Sequence, residues 1–425
     1  MKVLIVGGGG REHALAWKAS LSSLVDEVLV APGNAGTDCE PGIRNLPVSA
    51  DDIDGLLALA VQEKIGLTII GPETPLVNGI CDRFAAEGLR CFGPHQAAAQ
   101  LEGSKAFSKD FMDRHGIPTA SYRIFDQVGP ALKWLSEVGA PIVIKADGLA
   151  AGKGVVVATD EAEAEAALRD MLEQDRFGEA GCRVVMEEFL QGQEASFIVI
   201  CDGEHILPLA TSQDHKTRDD GDVGPNTGGM GAYSPAPVVT REVHERIMRE
   251  IIEPTVAGMA ADGHPYTGFL YAGLMIDDTG APSVVEFNCR FGDPEAQPVM
   301  ARLKSDLVAL CDAALDGRLD QVEAEWDERV SLGVVMAAGG YPGSYASGEI
   351  ISGLDQAIAE YGKVFHAGTK KDGDRIVTAG GRVLCVVALG DTVSEAQQRA
   401  YALTKKILWK DAFYRHDIGH RALAH

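Results

Sequence analysis

Ile142-Val143-Ile144-Lys145-Ala146-Asp147-Gly148-Leu149-Ala150-Ala151-Gly152-Lys153-Gly154-Val155-Val156-Val157 is the stretch whose reading decides the fold. A β-branched run ends in a lysine, a loop of small residues follows, and a second β-branched run closes the segment. That pattern reads as strand, glycine loop, strand. Glycines let backbone approach a ligand closely and turn several N–H groups toward one anion. Lys145 and Lys153 add two positive charges at the same place, so the hairpin suits a polyphosphate. It is not a Walker A loop: Gly148 to Gly152 is one residue too short, Gly154 stands where Ser or Thr is needed, and a strand follows instead of a helix. An ordinary hairpin with an exposed lysine is the competing reading of this segment alone.

The chain has 425 residues, too many for one compact core, which predicts about two to four domains. Apolar residues make up 46% and charged residues 24%, as in ordinary globular proteins. A formal net charge of −24 argues against nucleic acid or an anionic membrane as main partner, since both would repel it. A phosphate site must then be a local basic pocket. The eight cysteines are scattered with no CxxC pair, which argues against a zinc cage or redox dithiol. Free thiols fit a reducing cytoplasm. The short apolar run at residues 3–6 reads as a strand rather than a signal peptide, and no stretch is long and apolar enough to span a bilayer.

Outward from the hairpin, residues 1 to 100 alternate strand and helix. Strands are expected at 2–6, 27–30, 67–70 and 90–92, and helices at 11–20, 54–63 and 76–87. Strands end in glycine- or proline-rich loops, as in a doubly wound parallel sheet whose ligands sit beyond the carboxyl ends. A helix is expected over 103–115, a small α/β lobe over 121–190, and a long Gly-, Asp- and Pro-rich loop over 212–237. Strands at 332–338, 363–367 and 382–389 precede a helix at 394–407 and a polar tail.

Four further segments carry chemistry. Gly7-Gly8-Gly9-Gly10-Arg11-Glu12-His13 ends a strand and opens a helix, the geometry of an anion site. It lacks the third glycine of a dinucleotide fingerprint, and the second strand lacks the ribose-gripping acid, so NAD is not expected. Tight helix–sheet packing is the competing reading. Val184-Val185-Met186-Glu187-Glu188-Phe189-Leu190 with Gln193-Glu194 is an apolar strand ending in acids, suited to a purine edge and ribose hydroxyls. In Val285-Glu286-Phe287-Asn288-Cys289-Arg290, strand periodicity puts Glu286, Asn288 and Arg290 on one face. A carboxylate plus an amide oxygen suits Mg²⁺. Ser212-Gln213-Asp214-His215-Lys216 and Gly224-Pro225-Asn226-Thr227-Gly228-Gly229-Met230-Gly231 form a charged cluster and a glycine-rich cradle.

Taken together, these segments resemble the ATP-grasp ligases, and within them the phosphoribosylamine–glycine ligase family. The resemblance runs through GGGGREHALAWK at 7–18, APGNAGT at 31–37, GPETPLV at 71–77, LEGSKAFSKDF at 101–111, IKADGLAAGKGV at 144–155, EEFLQGQEASF at 187–197, SQDHK at 212–216, GPNTGGMGAYSPAP at 224–237, VEFNCRFGDPE at 285–295 and GGRVLCVVALGDTVSEA at 380–396. It implies a multi-domain α/β fold: a Rossmann-like N-terminal domain at 1–102, an ATP-grasp core at 103–120 and 191–327, an ATP-grasp lid at 121–190 and a small mixed β/α domain at 328–425. It implies ATP and Mg²⁺ (or Mn²⁺) as cofactors, glycine and 5-phosphoribosylamine as substrates, and no nucleic acid or membrane partner. A cytoplasmic monomer is expected, with a dimer as the alternative.

By the same resemblance, Lys105 and Lys145 would hold ATP phosphates, and Gly148, Gly152, Lys153 and Gly154 would close over them. Glu187, Glu188 and Leu190 would meet adenine, and Glu194 the ribose. Glu286 and Asn288 would bind the metal, while Arg290 would hold glycine's carboxylate or the acyl phosphate. Gly9, Gly10, Arg11, Asn34, Gly36, Pro72, Glu73, Asp214, Lys216 and Gly229 would take the amine substrate. Arg290, Lys145 and Asp214 would serve the chemistry itself. No nucleophilic triad is needed, and no cysteine is expected to be catalytic. Many ATP-grasp enzymes carry a second metal-binding acid on the preceding strand, but here Tyr271-Ala272-Gly273-Leu274-Met275 has none. The alternatives are another ATP-grasp enzyme activating a different carboxylate and a non-catalytic nucleotide sensor. The acceptor-side motifs oppose the first, and the presence of Lys145, Glu286 and Asn288 opposes the second.

Overall fold

The computed structural model describes residues 1–149, 154–173 and 183–423. At the N-terminus, β1 (Lys2–Gly7), β2 (Glu27–Pro32), β3 (Ile43–Asn45), β4 (Ile65–Ile70) and β5 (Cys91–Phe92) form a parallel sheet in the order β3-β2-β1-β4-β5. Val3, Leu4, Ile5 and Val6 are all fully buried, as expected for a parallel strand covered on both faces. The glycine turns after β1, β2 and β4 meet at the carboxyl edge, where Gly33 donates to Gly7 O at 3.1 Å and Gly71 to Val6 O at 3.0 Å. The helix expected over 76–87 is two, Glu73–Val77 and Ile80–Ala86, parted by Gly79 at φ 83°. That left-handed backbone is open to glycine at little cost. The helix expected over 103–115 also divides, because the Ser104 hydroxyl caps Lys105–Arg114 by accepting from Phe107 N at 3.1 Å.

A second sheet joins β6 (Tyr122–Phe125), β7 (Ile142–Ala146), β8 (Val155–Ala158) and β9 (Val184–Glu188) in the order β6-β9-β7-β8. The opening stretch is thus a hairpin, with Lys145 opposite Val155 and Ala146 N donating to Gly154 O at 2.8 Å. Of its loop, Gly152 and Lys153 lie outside the described residues. Helices Val128–Val138 and Glu161–Glu173 give this lobe its own apolar cluster around Leu135, Ile144, Leu168 and Met186.

The central sheet runs β11 (Ile206–Pro208), β10 (Gln193–Asp202), β16 (Thr267–Ile276), β17 (Pro282–Asn288), all antiparallel. Its core is continuous with the N-terminal sheet: Phe92 meets Phe269 edge-on with centroids 4.8 Å apart, and Phe269 meets Phe291 at 5.0 Å.

Two expectations are corrected in the C-terminal third. Residues 212–237 are not one long loop but four short strands: β12 (Gln213–Asp214), β13 (Thr217–Asp219), β14 (Val223–Asn226) and β15 (Gly231–Ser234). β12 and β15 extend a sheet with β18 (Val330–Ala337), β19 (Gly362–His366) and β22 (Arg382–Gly390), in the order β12-β15-β18-β22-β19. A hairpin of β20 (Thr369–Asp372) and β21 (Arg375–Thr378) lies between β19 and β22 in the chain. The tail is not merely polar surface either. Fully buried Arg415 pairs with Asp222 at 2.9 Å and Asp417 at 2.8 Å, fastening the tail to the segment after β13. No helix among the described residues is long and apolar enough to cross a membrane.

Candidate active site

The helix Lys105–Arg114 and the β7–β8 hairpin place the basic groups of one wall. Lys105 Nζ donates to Gly148 O at 2.8 Å, tying the helix to the start of the glycine loop. Asp147 strengthens that tie, accepting from Ser104 Oγ at 3.1 Å and Ala106 N at 3.2 Å and pairing with Arg183 at 2.7 Å. Lys145 Nζ donates to Val285 O at 2.9 Å and lies 3.0 Å from the Glu187 carboxylate. Thus β7, β9 and β17 converge on one lysine. Lys109, which sequence reading passed over, lies 3.0 Å from Glu187 on a nearly fully buried side chain. Only its position one helical turn after Lys105 hinted that the two share a face. Glu188 accepts from Ser121 Oγ at 3.1 Å, and Leu190 lies just past β9.

Glu286 stands at the junction. Burial would raise its carboxyl, but Lys216, Lys145, Lys105 and Arg290 outweigh that and hold it below the usual range. It makes no hydrogen bond or ion pair with another described residue. Gly273 faces it across the strand pair, and a Cβ there would come within 3.2 Å of Glu286 Cγ. The glycine that removes an acid from this strand therefore also makes room for Glu286. An ionised carboxylate beside the Asn288 amide oxygen is a hard oxygen donor set that fits a divalent cation. The strand ends at Asn288, so Arg290 is not on its face by strand periodicity. It folds back instead to place Nη1 3.3 Å from Asn288 Oδ1.

Arg290 is held on both sides, by Glu102 at 2.8 Å and Glu73 at 3.2 Å. Burial opposes its charge, but the two carboxylates more than restore it. Burial likewise opposes ionisation of Glu73, which Arg290 and Arg11 overcome, leaving it at about 2. Glu102 also accepts from Cys289 N at 2.7 Å and Cys289 Sγ at 3.1 Å. Burial pushes that thiol well up, with Glu102 adding to the shift, which removes its nucleophilic form.

The wall facing Lys216 is built from three chain segments. Lys216 lies 3.3 Å from both Glu194 and Asp214, so the acid expected at a ribose is tied to the SQDHK segment. Gly229, at φ 108°, brings its backbone against Pro294, where a Cβ would lie 2.4 Å from Pro294 Cδ and 3.6 Å from Asp214 Oδ2. Glu295 was missed although it belongs to the same motif as Arg290. It accepts from Ser196 Oγ at 2.8 Å, and Ser196 Oγ lies 3.0 Å from Tyr271 OH. Burial and the nearby Asp214 push Glu295 up to about 7.

At the first turn, the anion found beside Gly9 is the chain's own. Glu12 accepts from Gly9 N at 2.6 Å and from Arg11 Nε at 2.6 Å. Asn34 spends its amide on the scaffold, donating to Gly8 O at 2.9 Å and His366 O at 2.8 Å and accepting from Gly36 N at 2.8 Å. Gly10 packs against Gln297, and Pro72 caps the helix that carries Glu73. The turns of the N-terminal sheet, the Asp214–Lys216 segment and the Arg290–Glu295 segment therefore border one region, with the basic wall on its other side.

Profiles of the phosphoribosylglycinamide synthetase N domain, ATP-grasp (A) domain and C domain match residues 1–102, 103–296 and 331–421. The chain is 67% identical to a phosphoribosylamine–glycine ligase of Allochromatium vinosum over 100% of this chain and 99% of that one. It is 66% identical to that of Escherichia coli with the same coverage. The crystal structure of the Thermotoga maritima phosphoribosylamine–glycine ligase superposes with a TM-score of 0.85 at 32% identity, covering 98% of this chain and 100% of that one. A biotin carboxylase domain from Hydrogenobacter thermophilus, at 17% identity and TM-score 0.75 over 97% and 91% of the two chains, shares the fold alone. Three domain matches in order along the chain and full-length identity of this order place the chain in the phosphoribosylglycinamide synthetase family.

Proposed function

We propose that this enzyme joins glycine to 5-phosphoribosylamine at the expense of ATP, giving glycinamide ribonucleotide, ADP and phosphate in purine synthesis. The observation that carries the reading is the placement of Glu286 among Lys105, Lys145, Lys216 and Arg290, with Asp214 and Gly229 beyond. One cationic junction thus faces both a polyphosphate wall and an acceptor wall. The full-length relatives named as phosphoribosylamine–glycine ligases support it.

A carboxylate is a poor electrophile, so glycine must first be phosphorylated. Lys105 and Lys145 would hold the ATP phosphates, with the β7–β8 hairpin closing over them to exclude water. Glu187, Glu188 and Leu190 would line the adenine and Glu194 the ribose. Arg290 would bind glycine's carboxylate and offset charge on the phosphoryl group as it transfers. Glu286 and Asn288 would hold Mg²⁺ or Mn²⁺, which when bound neutralises phosphate oxygens. The amine of phosphoribosylamine, oriented by Asp214, Lys216 and the turns at Gly9, Asn34 and Pro72, would attack the resulting glycyl phosphate. Attack forms the C–N bond, expels phosphate and releases the amine proton. The test is ADP release from ATP and Mg²⁺ with glycine, with and without freshly generated phosphoribosylamine. Release that needs both, with glycinamide ribonucleotide in the product, is expected. Turnover with a different acid in place of glycine would overturn the substrate assignment.

A further inference from the structure

We infer that Arg382, supplied by the C-terminal sheet, is a positioning residue that sets the acceptor cradle. The inference rests on the reaction proposed above. Arg382 opens β22, and its guanidinium reaches out of that sheet to hold two segments of the site. Nη1 donates to the carbonyls of Gly228 and Gly229 and, at 2.8 Å, to Asp293 O. Nη2 pairs with Asp293 Oδ2 at 3.0 Å. Asp293 in turn accepts from Gln297 Nε2 at 3.0 Å, and its carboxylate lies 3.7 Å from where a Cβ on Gly9 would stand. A single side chain therefore links the glycine cradle and the segment between Arg290 and Glu295, next to the first turn of the N-terminal sheet. A Cβ at Gly228 would lie 2.9 Å from Arg382 Cζ, so the cradle backbone and the guanidinium are in close contact. Tyr341 gives a second C-terminal hold, its hydroxyl oxygen accepting from Gly228 N at 3.0 Å.

The planar fork matters because these acceptors lie in different directions. A lysine ammonium keeps the charge but cannot present two nitrogens in a fixed plane. The contacts all fall on the acceptor side; the basic wall around Lys105 and Lys145 touches none of them. Loss of Arg382 should therefore weaken acceptor binding selectively.

The test measures KM for phosphoribosylamine, glycine and ATP separately in wild type, Arg382→Ala, Arg382→Lys and Tyr341→Phe, with melting temperatures alongside. Loss of charge-assisted hydrogen bonds predicts about a tenfold or larger rise in acceptor KM for Arg382→Ala. ATP and glycine KM should stay within about twofold, and millimolar guanidinium ion should restore part of the loss. Arg382→Lys should fall between, and Tyr341→Phe should shift the same constant by less. If Arg382→Ala does not fold, the Lys and Phe variants still carry the selective KM shift. An unchanged acceptor KM, or an equal rise in all three constants, overturns the inference while leaving the reaction standing. Absence of wild-type turnover on this acceptor overturns both.

Discussion

Lys109 Nζ stands 3.0 Å from Glu187 Oε2, and Lys145 Nζ stands 3.0 Å from the same carboxylate. Two lysines share one acid, so the group carries one net positive charge on the wall proposed to hold the phosphates. Lys109→Met would leave Lys145 and Glu187 as a neutral pair. The expected result is a rise of about tenfold in ATP KM, equivalent to ~1.4 kcal/mol, with little change for glycine. Burial lowers Lys109 to about 8 from 10.5, against the pull of Glu187. Between those pH values the unfolded chain holds more protons than the folded one, so this residue makes wild-type stability rise with pH. Urea unfolding at pH 7.5 and pH 10 should show that rise shrink in Lys109→Met.

Glu295 has the opposite sign. Its carboxyl is raised to about 7 from 4.5, so across that window the folded state holds its proton more tightly and stability falls as pH rises. Glu295→Gln can still accept from Ser196 but cannot ionise. It should therefore gain stability over wild type, on the order of 2 kcal/mol at pH 8 and little at pH 5. Because Glu295 borders the Asp214–Lys216 pair, kcat/KM for the amine should also lose an inflection near pH 7. An identical profile in both proteins would remove Glu295 from the titrating groups of the site.

Gly273 bears on the metal. A Cβ there would lie 3.2 Å from Glu286 Cγ and 3.3 Å from Tyr271 Cε1, so in Gly273→Ala one or both of these side chains must give by a fraction of an ångström. Changes to the groups that position metal ligands typically cost about tenfold or more in metal affinity. Titration of ADP formation with Mn²⁺ should show that shift, with a melting temperature close to wild type. Equal metal activation in the two proteins would mean that Gly273 does not set the position of a metal-binding Glu286 carboxylate.

The sequence made some of this legible and hid the rest for physical reasons. The parallel sheet showed itself because β1, β2 and β4 are short apolar runs, β1 closing on Gly7 and the others running directly into Gly33 and Gly71. Lys145 was visible because the hairpin is local, its partners a few residues apart. Lys109 and Glu102 were not, since each reads as one more charge on a polar helix until β9 or Cys289 packs against it. The strands within 212–237 escaped because their partners are remote in the chain: Tyr233 pairs with Leu332, and no local period announces that. Arg290 was read as a strand residue, yet its direction is set by Glu73 and Glu102. The glycines of the first turn suggested an external anion, because a carboxylate three residues away can turn back into the same space.

That last point is testable. Glu12 accepts from Gly9 N and Arg11 Nε, both at 2.6 Å, while only 2% exposed. Glu12→Ala leaves the Gly9 N–H and the Arg11 Nε–H without their acceptor, which should cost about 1–3 kcal/mol in urea unfolding. Gly71→Ala should destabilise for a related reason, because its Cβ would lie 2.1 Å from Glu12 Oε1, and the two next-nearest atoms are also Glu12's. The two changes therefore act on the same side chain. Once Glu12 is cut back to alanine, the three atoms nearest a Cβ at Gly71 are gone. The double variant should be little less stable than Glu12→Ala alone, a strong departure from additivity. Additive costs would mean that Gly71 is required for its own backbone and not to make room for the carboxylate that fills the turn.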